Sequence, residues 1–149
     1  MPPFSAETIR GLEKMKDLAV GRGIRNPLEV GLGPSGLFKD FADGLRMVAP
    51  DDQVDFLLIQ LYPEGYVWRW AGGNQMGQAM DVLINTVKSL PKPVATVIGL
   101  GHDLDTMGIT LNAHKRCCQE GLAVFSAPEA AAKAVSKLIG YYENRLREM

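Results

Sequence analysis

The loop Gly31-Leu-Gly-Pro-Ser-Gly36 carries the first group of residues that could do chemistry. It matches the pattern GxGxxG and lies between a predicted strand and a predicted helix. In that context the backbone amides of Gly33, Ser35 and Gly36 can hold a phosphate, because aligned N–H dipoles at a helix N-terminus attract anions. Pro34 removes one amide donor, and the alternative is a tight turn that only needs glycine.

A second loop, Gly99-Leu-Gly-His-Asp-Leu-Asp105, places His102 directly after another predicted strand. There an imidazole can act as an acid, a base or a phosphoryl carrier, and Asp103 or Asp105 could fix its tautomer. The alternative is a polar loop residue that caps the following helix. The catalytic residue stays unassigned, with His102 as the candidate.

The remaining histidine, serines and cysteines indicate structural roles. His114 lies mid-helix beside basic residues, which predicts a solvated or internally satisfied side chain. Ser35 and Ser126 lack an evident His and acid partner, and the sequence has no GxSxG motif. Cys117 and Cys118 are adjacent, have no CxxC partner and are expected to be reduced. Two histidines without a neighbouring carboxylate cluster argue against a metal site.

An aromatic cluster follows the second predicted strand. Such a set could stack on an adenine ring or cover a ligand, it could contact another subunit, or it could pack locally. The cluster consists of Tyr62, Tyr66, Trp68 and Trp70, together with Arg69.

The elements that must position these loops follow an α/β order. Short apolar runs that lead through a loop into a helical pattern are typical of buried parallel strands. The predicted strands are residues 27–30, 54–62, 93–98 and 122–125. Residues 54–62 alternate little, which predicts a central strand covered on both faces. The predicted helices run from a cap at Ser5 to residues 21–23, and over 37–48, 76–90, 106–120 and 128–147.

These elements predict a three-layer α/β/α sandwich of flavodoxin-like type, with about four mostly parallel strands. The 149 residues are enough for one domain of ordinary size. Open parallel sheets bind ligands at the carboxyl ends of their strands. The loops at residues 31–36, 63–73 and 99–105 are therefore the places to search for chemistry.

Composition excludes several classes of function. The chain has 46% hydrophobic residues, 22% charged residues and a formal net charge of -1, so it offers no cationic field for nucleic acid. The first residues lack a signal-peptide pattern, and the apolar runs are far shorter than the roughly 20 residues of a membrane helix. A cytoplasmic protein that binds neither nucleic acid nor membrane is expected.

Five segments in order give the chain a resemblance to a known family. They are Asn-Pro-Leu-Glu-Val-Gly at residues 26–31, Val-Asp-Phe-Leu-Leu-Ile at 54–59 and Gly-Leu-Ala-Val-Phe-Ser-Ala-Pro-Glu-Ala-Ala-Ala at 121–132, with residues 4–8 and 92–94. On these segments the chain resembles the flavodoxin-like CoA-ligase domain of the NDP-forming acyl-CoA synthetases, the succinyl-CoA synthetase superfamily. The likeness covers nearly the whole chain but only one module of that family.

The resemblance implies an enzyme that makes acyl-CoA from a carboxylic acid, CoA and ATP or GTP, through an acyl phosphate and a phosphorylated histidine. The family's Rossmann and ATP-grasp domains are not among these 149 residues. The family has small residues after its phosphohistidine, whereas acidic residues follow His102, and their charge would repel a phosphoryl group. The phosphohistidine role is therefore not carried onto His102.

In the family this module begins with a strand, a glycine turn and a helix, and the present sequence starts just after that unit. A sheet that lacks an inner strand exposes unpaired backbone edges. We therefore expect either that the native polypeptide extends upstream, or that this module pairs with another chain or with a copy of itself.

The function expected from the sequence is that of a scaffold and subunit contact in an acyl-CoA synthetase, near the phosphoryl-transfer site and not catalytic alone. Its partners would be other domains or subunits of that enzyme, or further copies of the chain. The competing hypothesis is a stand-alone, non-catalytic module in which the loop at 31–36 and the aromatic cluster hold a nucleotide or CoA. A purely structural assembly domain is the third.

Overall fold

The computed structural model describes residues 2–15, 24–30, 39–61 and 73–147. From residue 57 onward the described strands and helices alternate, as in an α/β protein. The elements in chain order are α1 (Ala6–Leu12), α2 (Lys39–Val48), β1 (Leu57–Leu61), α3 (Gly73–Ser89), β2 (Val94–Ile98), α4 (Leu104–Gln119), β3 (Ala123–Phe125) and α5 (Pro128–Arg147).

The three described strands form one sheet in the order β1-β2-β3, and β2 runs parallel to β3. The Leu57 amide donates to the Pro93 carbonyl oxygen at 3.0 Å, and the Gly99 amide donates to the Leu61 carbonyl oxygen at 3.4 Å. From the first bond to the second, the residue numbers increase along both strands. β1 and β2 are therefore also parallel. The predicted α/β class with a parallel sheet is therefore confirmed.

Among the described strands β2 lies in the middle of the sheet, and the prediction that residues 54–62 are covered on both faces is wrong for the described residues of β1. Residues 95–98 are all buried, as expected for a strand covered on both faces. In β1 burial alternates instead, and Leu58 exposes 42% of its surface. The apolar run predicted burial on both faces, but Leu58 is an apolar residue on the solvent-exposed face of β1.

Residues 27–30, which were predicted to be a strand, have no regular secondary structure. Residues 25–27 form a bend, and Pro27 has no amide hydrogen to give to a ladder. Leu28 and Val30 are half-buried against a hydrophobic core formed mainly by helices and turns. Their alternation therefore reflects one-sided packing rather than strand pairing.

The described residues belong to two compact units. Unit 1 contains α1, α2 and α3. Unit 2 contains α4, α5, β3 and nearly all of β1 and β2, from Leu58 and Ala95 onward. None of the helices in the described part of the chain combines the length and the apolar composition that a membrane span requires.

The core of unit 1 is built on α1. Ser5 caps this helix as predicted, because its side-chain oxygen accepts a hydrogen bond from the Thr8 amide at 3.2 Å. The helix ends at Leu12, and the predicted closure at residues 21–23 lies outside the described residues. The buried residues around it form one cluster: Phe4, Leu12, Val48, Ala49, Val54 and Leu57.

A buried carboxylate holds the start of α1 against the turn that follows α2. Asp51 exposes 5% of its surface, and its carboxylate accepts hydrogen bonds from the amides of Ser5 and Gln53, each at 2.8 Å. Burial alone would raise the pKa of Asp51, but the hydrogen bonds from Thr8, Gln53 and Ser5 outweigh it and lower the pKa to about 2. This carboxylate is therefore a structural acceptor that stays ionised.

The helices of unit 2 begin and end close to the predicted positions. α5 covers Pro128–Arg147 as predicted, with Pro128 at its first position, where a missing amide hydrogen costs nothing. α4 is closed by Gly121, whose φ of 76° lies in the left-handed region that favours glycine. This turn returns the chain directly into β3.

Candidate functional site

The structure describes one of the three loops in which chemistry was expected. Gly33, Ser35 and Gly36 lie outside the described residues, and so does the aromatic cluster of Tyr62 to Trp70. The loop at residues 99–103 is described, and it includes His102. We therefore build the candidate site on this loop.

The candidate site lies at the carboxyl edge of the sheet in unit 2. Because the described strands are parallel, the loops that follow β2 and β3 leave the same edge. The first loop leads into α4 at Leu104, and residues 126–127 lead into α5 at Pro128. Two helix N-termini therefore begin along this edge, which is the usual place for a ligand in an open parallel sheet.

Gly101 packs its backbone against the first turn of α4. A β-carbon built at Gly101 would lie 2.6 Å from the Met107 amide nitrogen and closer still to Thr106. The Gly101 amide donates to the side-chain oxygen of buried Thr110 at 3.3 Å, and that hydroxyl donates to the Met107 carbonyl oxygen at 3.0 Å. The loop is thus fixed to the helix, with no room for a side chain at Gly101.

Asp103, and not His102, caps α4. The Asp103 carboxylate accepts a hydrogen bond from the Thr106 amide at 2.8 Å, and the Asp103 amide donates to the Thr106 side-chain oxygen at 3.3 Å. These reciprocal bonds form a capping box. The sequence signal for it, an Asp followed three residues later by Thr at the start of a helix, was missed.

His102 is exposed beside this cap. The acids near it make the edge unfavourable for an anion, because the Asp103 carboxylate already uses a helix amide and Asp105 and Glu129 add charge in the first turns of α4 and α5. Asp103 directly follows His102 and Asp105 comes two residues later, so a phosphoryl group on His102 would form close to negative charge.

The other histidine is satisfied within unit 2, as predicted. His114 is half-buried, and its Nε2 atom lies 2.8 Å from the Ile98 carbonyl oxygen at the end of β2. The ring therefore links α4 to the central strand. In the part of the chain that the structure describes, no group of three or more His, Cys, Asp and Glu side chains is placed to hold a metal ion.

The two cysteines point to different environments. Cys117 is buried and Cys118 is exposed, and neither is in a disulfide, which agrees with the prediction of reduced thiols. Burial raises the pKa of the Cys117 thiol to about 11, with a smaller contribution from Cys118. Cys117 therefore stays protonated and unreactive at neutral pH.

The cap of α4 can be tested by mutation. Asp103→Ala removes the acceptor for the Thr106 amide and is expected to lower the free energy of unfolding by about 1 kcal/mol. Asp103→Asn keeps an oxygen that can accept this bond, so it should stay close to the wild type. Urea unfolding followed by circular dichroism measures both, and equal losses for the two variants would contradict the capping role.

Comparison of the chain with protein-family models, with curated proteins and with solved structures finds no match. The class that the described residues define is therefore an α/β protein with a parallel sheet.

Proposed function

We propose that this chain is a module of an NDP-forming acyl-CoA synthetase, with a flavodoxin-like sandwich as its fold. It serves as a scaffold and subunit contact near the phosphoryl-transfer site and is not catalytic alone. The resemblance of its ordered segments supports the family. The parallel sheet and the alternation of strands and helices in unit 2 are compatible with the family's module.

The observation that carries the scaffold role is the position of the exposed apolar side chains. Ten large apolar side chains of the described residues are exposed, and all ten belong to unit 2. They are Leu58, Leu100, Leu104, Met107, Leu111, Leu138, Ile139, Tyr141, Tyr142 and Leu146. Single exposed apolar residues are ordinary, but a concentration of them in one compact unit is typical of a surface that another protein surface covers.

The helix α4 contributes one part of this surface. Leu104, Met107 and Leu111 follow one another at spacings of three and four, so they lie on one face of the helix. Leu104 exposes 87% of its surface, although it directly follows the capping residue Asp103. An apolar side chain that is this exposed and held by a fixed loop would gain free energy if another domain or subunit covered it.

The charges at the carboxyl edge support a module without its own catalysis. Activation of a carboxylic acid through an acyl phosphate requires groups that stabilise developing negative charge. The described edge instead carries the carboxylates of Asp103, Asp105 and Glu129. In the complete enzyme, other domains would bind CoA and ATP or GTP, while this module positions them.

A turnover assay tests the proposal. The isolated chain, incubated with labelled ATP or GTP, CoA and a panel of short carboxylic acids, is expected to release no nucleoside diphosphate above background. Turnover by the isolated chain would contradict the scaffold role.

A thermal-shift assay separates the proposal from the stand-alone binding module. A ligand that binds the folded state raises the melting temperature as its concentration increases. For a scaffold we expect no concentration-dependent rise with CoA, ADP, GDP or inorganic phosphate. A rise with CoA or a nucleotide, in the absence of turnover, would favour the binding module instead.

A further inference from the structure

The helix α5 extends beyond the support of its own unit. Its first turns contact β3, and Ala131 is fully buried. From Ser136 to Arg147 every residue except Gly140 is exposed. About three turns of α5 therefore have little packing of their own.

The exposed part of α5 is amphipathic. Leu138, Ile139, Tyr142 and Leu146, which we call the α5 stripe, fall within an arc of about 100° at 3.6 residues per turn. They expose 57%, 51%, 57% and 73% of their surfaces. The opposite face carries polar and charged side chains: Lys133, Lys137, Asn144 and Arg147. A helix of this length is marginal in water unless its apolar face is packed.

We propose that the α5 stripe pairs with the same stripe of a second copy of this chain, in an antiparallel arrangement about a two-fold axis at Tyr142. The stripe is self-complementary, because Leu138 and Leu146 each lie four residues from Tyr142. Antiparallel pairing therefore places Leu138 against Leu146 of the partner subunit, and Tyr142 against its own equivalent. Two-fold contacts of this kind close on themselves and form a dimer.

The area of the stripe is sufficient for such a dimer. Tyr141 flanks the stripe: its ring packs edge-on against Tyr142, with 5.4 Å between the ring centroids, and its hydroxyl accepts a hydrogen bond from Arg145 Nη1 at 3.2 Å. Each of the five side chains exposes roughly 100 Å², so two copies bury on the order of 1,000 Å² in all. That area lies at the lower limit of specific interfaces, where weak dimers form, and we therefore expect a dissociation constant on the order of micromolar.

The chemistry of the helix favours a second copy over a lipid surface. Helices that lie on membranes combine an apolar stripe with a strongly basic polar face and a cationic protein. Here two of the six charged residues of α5, Glu129 and Glu143, are acidic, and the chain has a formal net charge of -1. The pairing goes beyond the proposed function: it uses part of the same exposed apolar surface but does not require the synthetase assignment.

Sedimentation velocity of the full chain tests the pairing. The wild type is expected to dimerise in the micromolar range, and Leu138→Lys should weaken the dimer by about tenfold or more, because it buries a charge at the contact. Asn144→Lys adds the same charge on the opposite face and should leave the dimer unchanged. Circular dichroism confirms that both variants remain folded.

Cross-linking gives a second, independent readout. In a Cys118→Ser background, Tyr142→Cys places one thiol of each copy at the two-fold axis, and a short bismaleimide should join them in high yield. Ser136→Cys in the same background should react poorly.

A monomeric wild type, a dimer that is insensitive to Leu138→Lys, or a monomer that instead binds anionic vesicles would overturn the proposal. None of these outcomes bears on the turnover and thermal-shift tests of the synthetase assignment.

Discussion

Replacement of Gly101 by alanine is expected to destabilise the protein by roughly 2–3 kcal/mol, because the new methyl group has no space. The added carbon would lie 2.6 Å from the Met107 amide nitrogen and still closer to Thr106, where the neighbours are partly backbone. Backbone in a capped first turn cannot rotate away as a flexible side chain could. The loop and the start of α4 must therefore separate, which also weakens the bond between the Gly101 amide and Thr110.

Gly108→Ala is the matched control in the same helix. A β-carbon at Gly108 would meet no atom within 4 Å, so the substitution only improves helix propensity and should stabilise by about 0.5–1 kcal/mol. Urea unfolding followed by circular dichroism compares the two variants, and hydrogen exchange at the α4 amides locates the effect. If Gly101→Ala unfolded at the same urea concentration as the wild type, the steric role of this glycine would be refuted.

Replacement of Asp51 by asparagine is expected to lower the free energy of unfolding at neutral pH by about 2 kcal/mol. The Ser5 and Gln53 amides donate to different carboxylate oxygens. Asparagine keeps an acceptor for one of them and turns its NH2 group, itself a donor, toward the other. The loss falls on α1, because Asp51 holds the amide at its N-terminal cap.

The same substitution should change the pH dependence of stability. The pKa of Asp51 in the folded protein is about 2, below the ordinary value of 3.8, so its contribution is fully present above about pH 4 and is lost as the pH falls toward 2. Asp51→Asn removes this part of the acid sensitivity, while Asp52→Asn, at an exposed position, retains it. Urea unfolding between neutral and acidic pH measures both, and parallel curves for the two variants would contradict the assignment.

Local signals in the sequence were sufficient for most elements of the fold. Two residues mark the starts of helices: Ser5 before α1 and Pro128 at the first position of α5. Both helices begin there in the structure. The short apolar runs before residues 99 and 126 likewise became β2 and β3. These features depend on the nearest few residues, so the sequence alone can specify them.

Features that depend on residues distant in the sequence could not be predicted from local patterns. Leu58 is apolar and would be predicted to be buried, but its side of β1 is left uncovered in the folded protein. Asp51 becomes a buried acceptor only because the Ser5 amide, far away in sequence, reaches it. Gly101 reads as one glycine of a flexible loop, whereas its close approach to α4 follows from tertiary packing. The candidate loop was found from topology, but the role of its acids was not.

The Lys92 side chain connects the segments that precede β1 and β2, in addition to the backbone hydrogen bonds between these strands. Its ammonium group donates to the carbonyl oxygen of Asp51 at 2.6 Å and to that of Val54, just ahead of β1, while Pro93 next to it begins the pairing with Leu57. A slip of one residue between neighbouring strands would exchange the inward and outward sides of β1. By joining the segments that lead into both strands, the Lys92 ammonium group holds β1 and β2 in this alignment.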